Sequence, residues 1–387
     1  MNLLDHKGVP LEKQTFTWKE MVGKPISKLD DEAFTRVRVI LMAGAELDAI
    51  RLSRVGARFQ TDLRLPMAEI RRVEQHQATL INWLLSADHS PLETTIAYEQ
   101  VAIEVTAAVA QQEPDDYLAQ VYRFGLLEDF DHLYRYSALL DRLEGKDANN
   151  ILQGHTDIVP GRPTADEHRH PKDDLRDPMG ADAALVSKLH ANLITGAEFQ
   201  THDYYMNIGP TFADPVARQL YAEIASIEEQ HVTQYSALVD PQQSFLEQWL
   251  LHEATEVYGY YSCAESESNP RIKGIWERFC DYELGHLHHV AGLLQQYEKR
   301  DAAELLSEAL TPIAFRSQRD FVRRVLDSEV NLRANGTQFV DPAQESQASL
   351  DYRRLINADG SPSTQIAEGY RWMSGTELNR QHLRRAA

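Results

Sequence analysis

GAEFQTHDYYMNIGPTFADPVARQLYAEIASIEEQH, residues 196–231, sets Glu198 ahead of a Glu228-x-x-His231 pair, and 228 minus 198 is 30. HEATEVYGYYSCAESESNPRIKGIWERFCDYELGH, residues 252–286, repeats the arrangement with Glu253 and Glu283-x-x-His286, and 283 minus 253 is again 30. Side chains three apart on a helix share a face, so each Glu-x-x-His pair can grip one ion from a single helix. The midpoints of the two intervals fall in NIGPTFADP (207–215) and AESESNP (264–270), runs rich in helix breakers. The spacing therefore predicts two helical hairpins, each holding two carboxylates at one height on adjacent antiparallel helices.

Further from this stretch, EAFTRVRVILMAGAELDAIRLSRV and FLEQWLLHEATEVYGYY repeat apolar residues at helical spacing, and no long alternating run argues for a sheet. FQTDLRLP (59–66) and QQEPDD (111–116) read as two more hairpin tips. Residues 145–183 are polar, broken by prolines and aperiodic, as expected of a long connection. GAE recurs at Gly44–Glu46 and Gly196–Glu198, and HLYRYSALLD from His132 resembles HVTQYSALVD from His231, which points to a duplicated helical hairpin. The expected fold is all-α, with two tandem four-helix bundles: an arm over 1–30, a bundle over 31–144, a linker over 145–183, a metal-binding bundle over 184–300 and a helical extension over 301–387. RANGTQFVDPAQ and NADGSPS interrupt that extension.

The 387 residues include 59 acidic and 39 basic side chains, a formal charge of -20, which disfavours nucleic acid and anionic membrane surfaces as partners. No apolar run approaches membrane-spanning length and the amino terminus has no apolar leader region, so a cytoplasmic protein is expected. Two cysteines, Cys263 and Cys280, are too few for a thiolate metal site and read as buried small apolar residues. Metal chemistry here has to use oxygen and nitrogen donors.

Glu198, Glu228, His231, Glu253, Glu283 and His286 together give four glutamates and two histidines, the set used by ferritin-like di-iron and di-manganese carboxylate bundles. Over roughly residues 186–297 the sequence resembles that superfamily, and within it the rubrerythrins. The resemblance implies that Glu228 and Glu283 bridge two metals, that Glu198 and Glu253 bind at the ends, and that His231 and His286 each cap one ion. It also implies an additional ligand candidate in Glu256, three after Glu253, and hydrogen-bonding or redox candidates in Tyr205 and Tyr260 or Tyr261. The bland alternatives are a surface acid for Glu256 and core packing for the tyrosines. Hard oxygen ligands with one imidazole per ion suit two iron ions, with manganese or a mixed iron and manganese pair as the other options. The function this implies is a di-iron oxidoreductase reacting with oxygen or hydrogen peroxide, served by an unidentified electron donor and assembled as a homo-oligomer. The alternatives are a ferroxidase or iron-handling protein, and a metal-stabilised scaffold without turnover.

The amino-terminal half carries a worn version of the plan in Glu46, His76, Glu99, Asp129 and His132, where 129 minus 99 is once more 30. Val73 stands at the bridging position three before His76, and Glu74 points elsewhere on the helix, so a degenerate bundle kept for packing or dimerisation is expected. Glu167 and His170 form a third Glu-x-x-His in the broken linker and read as accidental, with His168 and His170 solvated. His252, His288 and His289 read as neighbours of the site rather than ligands. Only 25 positions separate Glu228 from Glu253. A dozen helical residues travel roughly 18 Å, so a short turn there cannot recross a bundle. Either the carboxyl half is a simple up-down-up-down bundle, or hairpins from the two halves or two subunits combine.

Overall fold

The computed structural model describes residues 1–85 and 87–374, and the fold is all-α. Eight long helices form four antiparallel hairpins: α1 (Ala33–Phe59) with α2 (Arg64–Asn82), α3 (Pro91–Gln112) with α4 (Asp116–Glu144), α5 (Leu185–Ile208) with α6 (Pro215–Ser236), and α7 (Phe245–Ser266) with α8 (Pro270–Glu298). All four tips fall in the breaker-rich runs. Local chemistry fixes the starts: Asp115, Asp214 and Asn269 accept hydrogen bonds from the first free N–H groups of α4, α6 and α8, and Ser90 and Ser244 form capping boxes with Glu93 and Glu247. Proline at the first turn of α3, α6 and α8 costs nothing, because that N–H has no partner in the helix.

The hairpins do not assemble half by half. Helices α1 and α5, from different halves, cross closely, so that a Cβ on Gly44 would lie 3.1 Å from the Gly196 carbonyl and 2.8 Å from Gln200 Oε1. The GAE echo is thus the crossing point of two helices, and each glycine sits two residues before an acid of the candidate site. Around this crossing α3 and α4 pair with α5 and α6, while α1 and α2 pair with α7 and α8. The expected division into one bundle over 31–144 and another over 184–300 gives way to two interleaved sets. The reason is the short connection from α6 to α7, residues 237–244, which leaves each hairpin beside a partner from the other half.

The connection over 145–183 is not solvated as a whole. Arg162, Glu167, His168, Arg169, Asp173, Asp174 and Arg176 are all buried, whereas His170 is exposed. The segment is pinned to α4 by Asp131, which accepts from Thr164 N at 2.7 Å, Thr164 Oγ1 at 2.6 Å and Gly161 N at 3.0 Å. Only glycine fits at 161, since a Cβ there would lie 2.4 Å from the Leu127 carbonyl. The amino-terminal arm crosses α8 in the same manner, with Val9 N donating to the Asp281 carbonyl at 2.7 Å.

In the extension, the run expected only to interrupt helices forms a two-stranded hairpin, β1 (Arg333–Asn335) with β2 (Gln338–Val340), turned by Gly336 at φ +58°. It follows α9 (Arg319–Glu329) and precedes α10 (Gln347–Ile356) and α11 (Pro362–Ala367), and α11 packs on α4 and α6. The expected extension includes residues 375–387, which lie outside the described residues. No helix among the described residues is long and apolar enough to cross a membrane.

Candidate metal centres

The six acids and histidines expected at one site divide between two clusters. Glu198, Glu228 and His231 meet Glu99, Asp129 and His132 from α3 and α4. Ligand atoms of Glu99, Asp129, His132 and Glu228 lie within 4.8 Å of one another, as do those of Asp129, Glu198, Glu228 and His231, so the two sets share Asp129 and Glu228. All six residues are at most 1% exposed. The amino-terminal residues Glu99, Asp129 and His132 are therefore half of this cluster and not a separate degenerate site.

Glu253, Glu283 and His286 belong to the second cluster, with Glu46 from α1, Glu74 and Gln77 from α2, and Glu256. Glu74, Glu253 and His286 form one group within 4.8 Å, and Glu253, Glu256 and Glu283 another. Here the sequence frame was wrong by one residue. Glu74 is buried and faces the cluster, Gln77 stands three after it, and His76 is half-buried against the Phe16 ring at 5.4 Å. The cause is a hairpin two residues shorter, since 74 minus 46 is 28 where 228 minus 198 is 30.

The two clusters are copies in sequence. The differences 228 − 74, 231 − 77, 253 − 99, 283 − 129 and 286 − 132 all equal 154. That constant offset, rather than the search for Glu-x-x-His, is the signal that identifies Glu74 and Gln77. Each half supplies its first hairpin to one cluster and its second to the other.

Each imidazole is fixed from behind. In the first cluster His132 Nδ1 lies 3.2 Å from Glu228 Oε1, while its Nε2 lies 2.8 Å from Glu167 of the linker. His231 Nδ1 lies 3.1 Å from Glu228 Oε2, with Nε2 2.8 Å from Glu128. Glu128 is clamped in turn by Arg162 at 2.9 Å and by Arg169. In the second cluster His286 Nδ1 lies 2.8 Å from Glu283 Oε2, and its Nε2 faces Gln14 Oε1 of the arm at 2.8 Å. Such partners orient an imidazole and set its basicity as a ligand. Glu167 and Gln14 lie in irregular segments without a helical signature, Glu128 lies on α4 one position before Asp129, and the Glu167/His170 pair does not act as a unit: Glu167 backs a histidine and His170 faces solvent.

The tyrosines extend the symmetry. Tyr205 donates to Glu99 Oε1 at 2.5 Å and Tyr260 donates to Glu46 Oε1, each seven residues after the acid of its own helix. Tyr261 is half-buried and makes no such bond, and Gly259 packs against Met42. His252 is buried 3.9 Å from Asp48, whereas His288 and His289 lie at the half-buried edge of α8. Cys263 is buried and Cys280 partly so.

The clusters hold more negative charge than protein donors satisfy. Both oxygens of Asp129 and Glu198, and one of Glu99, lack a hydrogen-bond partner in the first cluster. In the second, both oxygens of Glu256 and one each of Glu46, Glu74 and Glu253 lack one. Burial pushes Glu198 up to about 7 and raises Glu99 and Asp129 well above the ordinary carboxyl range. Burial also raises Glu46, Glu74, Glu253 and Glu256 well above it. Burial acts the same way on Glu228 and Glu128 but loses there: His132 and His231 hold Glu228 below that range, and Arg169, His231 and Arg162 hold Glu128 well below it. Buried carboxylates without donors are costly, and divalent cations offset them. The donor set, carboxylates with imidazoles, fits iron or manganese.

No protein-family model matches the chain, and neither a curated protein nor a solved structure matches it.

Proposed function

We propose that the protein is a ferritin-like, rubrerythrin-like non-haem oxidoreductase with dinuclear iron centres, reacting with oxygen or hydrogen peroxide. The observation that carries this reading is the first cluster: Glu99, Asp129-x-x-His132, Glu198 and Glu228-x-x-His231 converge from four helices, buried, with five carboxylate oxygens lacking donors. Its four carboxylates match the charge of two divalent cations. A close pair of iron ions supplies two electrons to a bound oxidant without an organic cofactor.

The chain's own groups suit that task. Glu228 and Asp129 are common to both ligand groups and would serve two ions. Glu167 and Glu128 keep the two imidazoles turned with Nδ1 inward. Tyr205 holds a proton against Glu99. Complete burial of the ligands restricts access to reactants of the size of oxygen or peroxide and excludes bulk water.

The test is the reaction of reduced, iron-loaded protein with each oxidant, beside a Glu228→Ala, Glu283→Ala variant. Iron oxidation at least tenfold faster in the wild type supports the reading, and equal rates defeat it. Iron accumulating far beyond the coordinating positions would instead favour iron storage, and metal loss that lowers melting temperature without any turnover would favour a scaffold.

A further inference from the structure

The second cluster is not a plain copy of the first. Applying the offset of 154, Gln77 stands where the first cluster has His231, and Glu256 stands where it has Ala102. One imidazole has been exchanged for an amide and one carboxylate added, so five carboxylates, Glu46, Glu74, Glu253, Glu256 and Glu283, face a single histidine.

The amide does not satisfy the added acid. Gln77 Nε2 donates to Glu46 Oε1 at 3.0 Å and to Glu283 Oε1 at 2.6 Å, which leaves Gln77 Oε1 without a partner. Glu256 is fully buried and neither of its oxygens receives a hydrogen bond. Its oxygens, with those of Glu253 and Glu283, lie within 4.8 Å of one another. The nearest imidazole, His286, groups with Glu74 and Glu253, and its Nδ1 is held 2.8 Å from Glu283 Oε2, but it forms no group with Glu256.

We propose that Glu253, Glu256 and Glu283, with Glu46 and the Gln77 amide oxygen at their edge, form an all-oxygen position for a hard divalent cation, beside an imidazole-bearing position at Glu74, Glu253 and His286. Carboxylate and carbonyl donors suit manganese or magnesium, whereas imidazole favours iron and the later metals. Of the four ligand groups among the described residues, three include an imidazole and this one does not. The second centre is therefore a mixed pair. This deepens the dinuclear reading and relies on it only for the neighbouring position.

The experiment uses full-length, metal-free protein equilibrated without oxygen against Fe2+ and an about tenfold excess of Mn2+. Bound metals are counted by elemental analysis and manganese is followed by its electron paramagnetic resonance. Wild type is expected to keep about one manganese per chain with iron elsewhere. Glu256→Gln is expected to weaken manganese binding at least tenfold while the iron count holds, and Gln77→His to replace that manganese by iron. Gln77→His keeps the test open if Glu256→Gln fails to fold. Four irons and no manganese in wild type, or unchanged manganese in a folded Glu256→Gln, overturns the proposal. One manganese lost on Glu256→Gln, with no iron bound anywhere, supports it while sinking the dinuclear iron reading. Binding of neither metal overturns both.

Discussion

The first cluster has two imidazoles, each backed by a glutamate, and four carboxylates; the second has one imidazole, backed by an amide, and five carboxylates. Both are built on the same four-helix plan, with one hairpin two residues shorter in the second, so the difference between them lies mainly in the donor atoms. What it teaches is that the segments before each half are part of the sites. The linker places Glu167 behind His132 and the amino-terminal arm places Gln14 behind His286, each reaching the second hairpin of the opposite half. A carboxylate partner makes an imidazole a stronger donor than an amide does, so any ions at the first cluster are expected to be held more tightly than those at the second.

The sharpest way to break this comparison is to remove one shared carboxylate from each side. Glu228→Ala is expected to remove about two metals per chain and leave the second cluster loaded, and Glu253→Ala to do the reverse. If either substitution alone empties the whole protein on elemental analysis, the clusters are not separate centres. Next in size is the partner behind the imidazole. Glu167→Gln is expected to weaken first-cluster metal binding roughly 10–100-fold, and Gln14→Glu to strengthen the second, both read by chelator competition. Equal affinities in all three proteins would remove the asymmetry.

The metal-free protein gives a pH test. Glu198 and Glu167 are pushed up to about 7 by burial, and Glu99, Asp129, Glu46, Glu74, Glu253 and Glu256 shift the same way. Each keeps a proton in the folded state that the unfolded chain has released, so stability falls as pH rises from about 4.5 through 7. His132 and His231, raised well above their ordinary value by carboxylates that outweigh the effect of burial, add stability that is likewise lost as pH rises. Cations replace those protons, and the melting temperature of loaded protein should be nearly flat over pH 5 to 8 while that of metal-free protein declines. A metal-free protein that gains stability over this range contradicts the charge assignment.

Two smaller effects concern packing. Gly161→Ala forces the linker off α4 and is expected to cost about 1–3 kcal/mol in denaturant unfolding, with first-cluster affinity falling and second-cluster affinity unchanged. Tyr205→Phe and Tyr260→Phe each remove one hydrogen bond to a ligand and should cost about 0.5–1.5 kcal/mol apiece, equally in the two clusters.

Much of this was legible along the chain. The four hairpin tips, the two Glu-x-x-His pairs and the 30-residue intervals follow from helical period and helix-breaking residues, which are local, whereas Glu256, Tyr205 and Tyr260 entered only through the rubrerythrin resemblance. Glu74 escaped because one hairpin is two residues shorter and His76 offered a false anchor. Glu128 is adjacent to Asp129 on α4 and outside any Glu-x-x-His spacing, and Glu167 and Gln14 lie in irregular segments that have no period from which a facing can be read.

The sequence by itself determined the helices, their turns and which face of each carries acid and imidazole, since these depend on contacts three and four residues apart. Only the tertiary structure decided which hairpin meets which. Four amphipathic hairpins of similar length can pair in several ways, and the choice rests on the close crossing of Gly44 and Gly196, the short connection over 237–244 and the buried linker, through contacts between residues from 30 to 152 positions apart rather than three or four.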